Sequence, residues 1–187
     1  MRKFRVYLDN CCYNRPYDDQ ARPGIELEAK AKLYIQKLIA ENDVNMVSSV
    51  FLEYENDANP SSTRKKAIKN FLPLAKEHVD KREDVVSIAQ EINAKGIKPI
   101  DSLHLASAIY ADCDFFITTN DELLAYKDNR IRVINPTDFR NENAQHVVLL
   151  VPKESFDYTE WQKDLYKDLS VEEIFASIQS KEGAQGM

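Results

Sequence analysis

Hydrophobic positions along the chain alternate between short runs and helical stripes. The short apolar runs at residues 3–9, 44–48, 115–119 and 131–134 are each bounded by polar or turn-forming residues, which predicts four strands. Between these runs, apolar residues recur at three- and four-residue intervals, which predicts helices. Alternating strands and helices are typical of an α/β fold, so we expect a parallel sheet with helices on both faces.

The helices predicted between these strands differ in length. We expect a long helix over residues 24–41, a short one over 50–56 that Ser49 caps, two between 61 and 95, and a helical turn at 122–126. Each lies between two predicted strands, as a crossover in a parallel sheet must.

The helix that begins at Pro99 is apolar nearly all round and is therefore expected to be buried. Asp101 or Ser102 can cap its first turn, and the helix dipole there favours an ionised acid. Asp121 follows the next strand directly and so lies where ligands sit in open α/β sheets, beyond the carboxyl ends of the strands. Taken singly, Asp101 and Asp121 are better interpreted as simple helix caps.

Composition narrows the class of protein. The chain has 187 residues, 43% of them hydrophobic, and a net charge of −6, which argues against binding nucleic acid by bulk charge and suits a cation site. Three cysteines without a CxxC pattern, and no signal peptide, predict reduced thiols and a cytoplasmic protein. No apolar run approaches the roughly 20 residues of a membrane span, so no membrane association is expected.

Acidic residues follow several predicted strands. Four acids fall at or just past the same edge of the predicted sheet. They are Asp9, Asp101, Asp121 and a further acid that follows the second strand. Carboxylates about 4 Å apart repel by roughly 4 kcal/mol at an effective dielectric near 20, so such a cluster needs a cation or shared protons. Oxygen ligands of this kind suit Mg²⁺ or Mn²⁺, which also bind substrate phosphates, and this favours phosphate-ester chemistry.

Four segments resemble motifs of the PIN-domain nucleases, a family that includes the VapC-type toxins of bacterial toxin-antitoxin systems. They are residues 6–12, 47–55, 100–108 and 115–121, and they occur in the family's order, each at a predicted strand end or at the start of the buried helix. The resemblance spans residues 4 to about 135 and implies a PIN-like nuclease domain over 1–140.

The resemblance implies a metal-dependent endoribonuclease. Asp9, Asp101 and Asp121 would bind one or two Mg²⁺ or Mn²⁺ ions, and a glutamate would complete the catalytic set. Two glutamates are candidates: the family's spacing from the serine at the strand end favours Glu55, with Glu53 as the alternative. RNA would be the substrate, and a role as the toxin of a toxin-antitoxin pair would add an antitoxin as partner.

Other polar residues are secondary candidates. Asn10 follows Asp9 and could contact RNA. Thr119 and Asn120 resemble family positions that orient Asp121 or reach an ion through water. A plain turn explains Thr119 and Asn120 equally well. His104 lies one turn after Asp101, and a packed histidine with satisfied hydrogen bonds is the favoured interpretation.

The densest basic patch lies on the helix after residue 61. Arg64, Lys65 and Lys69 are its candidate RNA contacts, although most such runs are solvated helix faces. Since the net charge is acidic, we expect a homodimer in which two copies of this helix line an RNA groove.

Residues 141–187 are expected to form a C-terminal extension with an edge strand at 146–152, two helices and a disordered end. The non-enzymatic alternative for the whole chain is a PIN-like scaffold that binds RNA or protein without cutting. The complete acid set argues against that alternative, and the absence of a second acid after Asp9 in a DxDx pattern argues against an aspartyl phosphatase.

Overall fold

The computed structural model describes residues 2–147, with side chains placed over residues 2–143. Its centre is a sheet of five parallel strands in the order β3-β2-β1-β4-β5. The strands are β1 (Arg5–Leu8), β2 (Asn45–Ser49), β3 (Glu77–Val79), β4 (Phe115–Ile117) and β5 (Arg132–Ile134). The parallel α/β class predicted from the sequence is confirmed.

Eight α-helices connect and follow the strands within the described residues. They are α1 (Asn10–Asn14), α2 (Pro23–Ala40), α3 (Val50–Asp57), α4 (Ser62–Phe71), α5 (Glu83–Asn93), α6 (Pro99–Tyr110), α7 (Asp121–Ala125) and α8 (Pro136–Val147). No helix in this part of the chain is both long enough and apolar enough to cross a membrane.

Helices pack on both faces of the sheet, because neighbouring strand residues point to opposite sides. On one face, Tyr7 of β1 stacks on Phe116 of β4 at 5.6 Å and meets His104 of α6 at 5.9 Å between ring centroids. On the other face, Phe115 makes an edge contact with Phe139 of α8 at 5.1 Å. The buried helix that the sequence predicts from Pro99 therefore covers the face that carries Tyr7.

Strand β3 was not predicted, since residues 61 to 95 show only helical periodicity. In the structure α4 ends at Phe71, a 3₁₀ turn follows over Leu72–Leu74, and β3 then pairs with β2 at the sheet edge. Pro73 cannot continue a helix. Only Val79 of the three strand residues is buried, so β3 leaves no alternating pattern in the sequence.

The helix α8 crosses the predicted domain boundary at residue 140. It runs from Pro136 to Val147, so the first two residues of the edge strand predicted over 146–152 are helical. The rest of the predicted extension, including its two helices, lies outside the described residues.

Candidate metal centre

Asp9, Glu55 and His104 meet beyond the carboxyl ends of β1 and β2. One ligand-type atom from each residue lies within 4.8 Å of the other two. Asp9 directly follows β1, and its backbone N–H still bonds the carbonyl of Ile117 in β4 at 2.9 Å. The three side chains come from three separate segments, so the parallel sheet is what brings them together.

Asp9 is held in a nearly closed environment, with 4% of its surface exposed. It occupies the N-cap position of α1, but its side chain caps no backbone group. Instead, its Oδ2 accepts hydrogen bonds from the Thr118 hydroxyl at 2.7 Å and the Cys11 thiol at 3.0 Å. Burial raises the pKa of Asp9 well above its usual value and the neighbouring Cys11 adds to this rise, although His104 and Thr118 oppose it. A cation beside the carboxylate would offset that cost of burial.

Glu55 reaches the cluster because of how α3 begins. The side chain of Ser49 caps the helix by accepting the N–H of Leu52 at 3.2 Å, as predicted, and Leu52 is buried against the core. This fixes the helix face that turns inward. Glu55 lies on it, whereas Glu53 is exposed and its Oε1 lies 3.9 Å from Nδ1 of His78.

The pKa of Glu55 is lowered. Burial alone would raise it, but the hydrogen bond and the charge of His104, together with the Asn10 side chain, outweigh that effect. Glu55 is therefore kept ionised beside the buried carboxyl group of Asp9.

His104 is fully buried, and both its ring nitrogens have partners. Nε2 lies 2.9 Å from Oε2 of Glu55, and Nδ1 lies 2.8 Å from the hydroxyl of Tyr7. The geometry is that of the packed, hydrogen-bonded histidine that the sequence favoured, with a carboxylate of the cluster as one of its partners.

Asp101 lies at the side of this cluster and is not one of the three residues within 4.8 Å. It sits in the first turn of α6, where neither it nor Ser102 caps the helix; the Ser102 hydroxyl donates to the carbonyl of Ile97 at 3.2 Å. Its pKa is raised, chiefly by burial and also by Glu55, while His104 opposes the shift. The expectation of a side-chain cap was therefore wrong, and partial burial opposes the ionised form that the helix dipole favours.

Asp121 is exposed in the first turn of α7 and is likewise outside the cluster of three. Asn120 caps that helix, since its Oδ1 accepts the N–H of Glu122 at 3.0 Å. The backbone N–H of the neighbouring Thr119 donates to the Cys11 sulfur at 3.3 Å. Asn120 therefore acts in the turn before α7, as the alternative interpretation held. Thr119 is hydrogen-bonded to Cys11, two residues after Asp9.

Two buried oxygen atoms near the centre have no hydrogen-bond partner among the described residues. They are Oδ1 of Asn10, which adjoins both Asp9 and Glu55, and Oγ1 of Thr119. An unpaired buried polar atom is unfavourable unless a water or an ion satisfies it. Two carboxylates and neutral oxygens form the donor set that Mg²⁺ and Mn²⁺ prefer, so the residues present fit such an ion.

A cleft of about 720 Å³ opens beside Glu55. It is lined by Asn10, Asn14, Glu55, Ala58, Asn59, Pro60, Ser61 and Arg64. Of the basic residues predicted to contact RNA, Arg64 alone lines this cleft, while Lys65 and Lys69 lie 3.0 and 2.7 Å from Asp57. The polar cleft thus connects the carboxylate cluster with one fixed guanidinium group.

The sequence did not identify the residues that hold the cluster in place. Tyr7, Cys11 and Thr118 each bond a cluster residue, and none has a spacing that marks it as a site residue. Tyr7 and His104 are separated by 97 positions in the chain, so only the packing of α6 on β1 reveals their contact.

Comparisons with known proteins add little to this geometry. No protein-family model matches the chain, and no curated protein matches it. Among solved structures it is similar to the crystal structure of VapBC2 from Rickettsia felis bound to a DNA fragment from their promoter, with a TM-score of 0.48 and 14% sequence identity over 71% of this chain and 98% of that one. A likeness at this level is too weak to establish a family or an activity.

Proposed function

We propose that the protein is a Mg²⁺- or Mn²⁺-dependent endoribonuclease that hydrolyses RNA phosphodiester bonds. The observation that carries the proposal is the approach of Asp9 and Glu55 within 4.8 Å, beside the unpaired Oδ1 of Asn10. Two carboxylates from separate segments repel each other there when both are ionised, and a cation offsets that repulsion. The four PIN-like motifs in the sequence support RNA cleavage as the use of that cation.

The residues have distinct roles in this proposal. Asp9 and Glu55 would hold the ion, with Asp101 and Asp121 completing the acidic set from α6 and α7. When bound, the ion supplies activation of water and charge stabilisation at the phosphate. Thr118 and Cys11 keep the Asp9 carboxylate oriented, because both donate to its Oδ2.

The cleft beside Glu55 is the proposed path of the RNA strand. Arg64 would bind a phosphate there, and the amides of Asn10, Asn14 and Asn59 offer donors and acceptors along the wall. An antitoxin partner, a homodimer and a cytoplasmic location belong to the same proposal and follow from the resemblance and the composition.

Cleavage of labelled single-stranded RNA tests the activity directly. We expect cleavage with Mn²⁺ and none with EDTA, and we expect the folded Asp9→Asn variant to be inactive. RNA binding without cleavage at any Mn²⁺ concentration would instead support the non-catalytic scaffold. Activity that survives in EDTA would contradict the metal requirement.

A further inference from the structure

A chain of hydrogen bonds runs from the start of α3 to the carboxylate that α3 carries. The Ser49 hydroxyl lies 2.6 Å from the Tyr7 hydroxyl, which lies 2.8 Å from Nδ1 of His104, and Nε2 of His104 lies 2.9 Å from Oε2 of Glu55. Ser49, Tyr7 and His104 are fully buried, so water does not compete for these bonds. The chain ties β1, β2 and α6 to one glutamate.

The direction of each bond follows from the chemistry of its groups. An ionised carboxylate can only accept, so Nε2 of His104 must carry a hydrogen. When the imidazole is neutral, the other nitrogen is an acceptor and Tyr7 donates to it. The Ser49 hydroxyl can in turn donate to Tyr7 while accepting the N–H of Leu52.

Both nitrogens of His104 are thus engaged with protein groups, and the one nearest the cluster points at Glu55. An imidazole that ligates an ion must present a nitrogen lone pair to it, whereas Nε2 here uses its hydrogen to hold a carboxylate. Hydrogen bonds to ligating carboxylates orient them, and losing such a partner typically lowers metal affinity or activity about 10- to 100-fold.

We propose that His104 is a positioning residue that holds Glu55 in its metal-binding orientation. Tyr7, by donating to Nδ1, keeps the imidazole hydrogen on Nε2, the nitrogen that faces Glu55. The inference rests on the proposed metal-dependent function. It assigns His104 a role through Glu55, not as a ligand of the ion.

Substitutions at position 104 separate a positioning residue from a ligand. His104→Gln places an amide N–H where Nε2 lay, while His104→Asn is one methylene shorter and falls short of Glu55. We expect Mn²⁺ affinity, measured by titration calorimetry, to stay within about threefold of wild type for His104→Gln and to fall about 10- to 100-fold for His104→Asn. Equal losses in both variants would identify the imidazole as a ligand and overturn the proposal, as would unchanged affinity in both.

Tyr7→Phe provides a test that keeps the core volume, should the substitutions of His104 prevent folding. We expect the ¹⁵N NMR spectrum of metal-free wild type to show the hydrogen of His104 on Nε2, and Tyr7→Phe to weaken Mn²⁺ binding several-fold. A hydrogen on Nδ1 in wild type, or unchanged Mn²⁺ binding in Tyr7→Phe, would overturn the role of Tyr7.

RNA cleavage then distinguishes this inference from the proposed function. In the Glu55→Gln background, His104→Asn should cause no further loss of residual cleavage, because it acts through Glu55; a further loss would overturn the proposal. A wild-type protein that binds Mn²⁺ but cleaves no RNA would overturn the nuclease function alone, and the affinity comparison would still decide the role of His104. A wild-type protein that binds no Mn²⁺ would overturn both.

Discussion

Glu53 and Glu55 stand two residues apart on α3, yet they have different partners. Glu55 accepts a hydrogen bond from His104 at 2.9 Å and shares a cluster with Asp9, whereas Glu53 lies 3.9 Å from His78. Positions two apart on a helix point roughly 200° away from each other, so both cannot face one ion.

Substitution of the two glutamates tests this difference. We expect Glu55→Gln to remove most Mn²⁺-dependent RNA cleavage while the protein stays folded, because the amide cannot supply a ligating charge. Glu53→Gln, the matched control on the same helix, should retain activity within a few fold. The reverse result in a cleavage assay with melting curves for both variants would place the metal on the other side of α3.

Asp101→Asn tests whether the acidic residues destabilise the metal-free protein. Burial and the nearby Glu55 raise the pKa of Asp101, so its ionised form is disfavoured in the folded state. The amide should therefore keep or raise the melting temperature in EDTA. At a Mn²⁺ concentration about 100 times its Kd, wild type should gain about 2.7 kcal/mol, and the variant should lose most of that gain if Asp101 contacts the ion. An unfolded variant that still binds Mn²⁺ would contradict this prediction.

Asp9 should make the stability of the metal-free protein depend on pH. Its pKa is raised on folding, so between its unfolded value, about 3.9, and its folded value the native state binds more protons than the unfolded state. The contribution of Asp9 is therefore present at low pH and is lost as pH rises through the folded pKa.

Melting curves in EDTA measure that dependence. The melting temperature of wild type, relative to Asp9→Asn, should be highest near pH 4 and should fall as the pH rises to about 8. Mn²⁺ should reduce the difference at the upper end by neutralising the carboxylate. Parallel curves for the two proteins would show that Asp9 is not protonated in the native state.

The sequence was informative wherever one local pattern decided the geometry. The apolar run that ends at Leu8 places Asp9 at a strand end, and Ser49 marks the start of α3 as its cap. Both positions depend on short-range order, and the structure has them where the patterns indicate.

The remaining part of the site depends on packing between distant segments. Thr118 was assigned to the strand over 115–119, but β4 ends at Ile117, and the Thr118 hydroxyl turns to Asp9 from 109 positions away. Asp101 was expected to be able to cap α6 because the sequence showed its place on the helix but not its contacts or its partial burial. Contacts of this kind follow from the register of the sheet, which no single segment encodes.

Lys32 is a buried charge outside the candidate site, and we expect Lys32→Met to stabilise the protein. The residue is 1% exposed, its Nζ lies 5.4 Å from the ring centroid of Tyr13, and burial lowers its pKa to about 7, partly offset by Cys12. At or below pH 7 the folded protein bears most of the cost of the buried charge, and removing it should add roughly 1 to 4 kcal/mol to the free energy of unfolding.

The pH dependence provides the control for this substitution. Between about pH 7 and 10.5 the unfolded state holds the Lys32 proton more tightly than the native state, so wild type gains stability as pH rises. The advantage of Lys32→Met in denaturant melts should therefore be large at pH 6 and smaller at pH 9. An advantage that is the same at both pH values would mean that improved packing, not charge, explains it.

Arg64 and Lys69 lie on the same basic helix but should contribute differently to RNA binding. Arg64 lines the cleft beside Glu55, where its guanidinium donates to the carbonyl of Tyr17 at 2.8 Å, whereas Lys69 pairs with Asp57 at 2.7 Å. A phosphate that follows the cleft meets Arg64, whose own ion pair with Asp18 is longer, at 3.5 Å, whereas Lys69 does not line the cleft. We expect Arg64→Met to weaken single-stranded RNA binding and to reduce the slope of log K against log salt by about 0.7, the value for one phosphate contact.

Lys69→Met, which removes one charge from the same helix, should leave the slope nearly unchanged. If both variants reduce the slope equally in fluorescence titrations of an uncleavable RNA, the strand crosses the solvent face of α4 and does not follow the cleft.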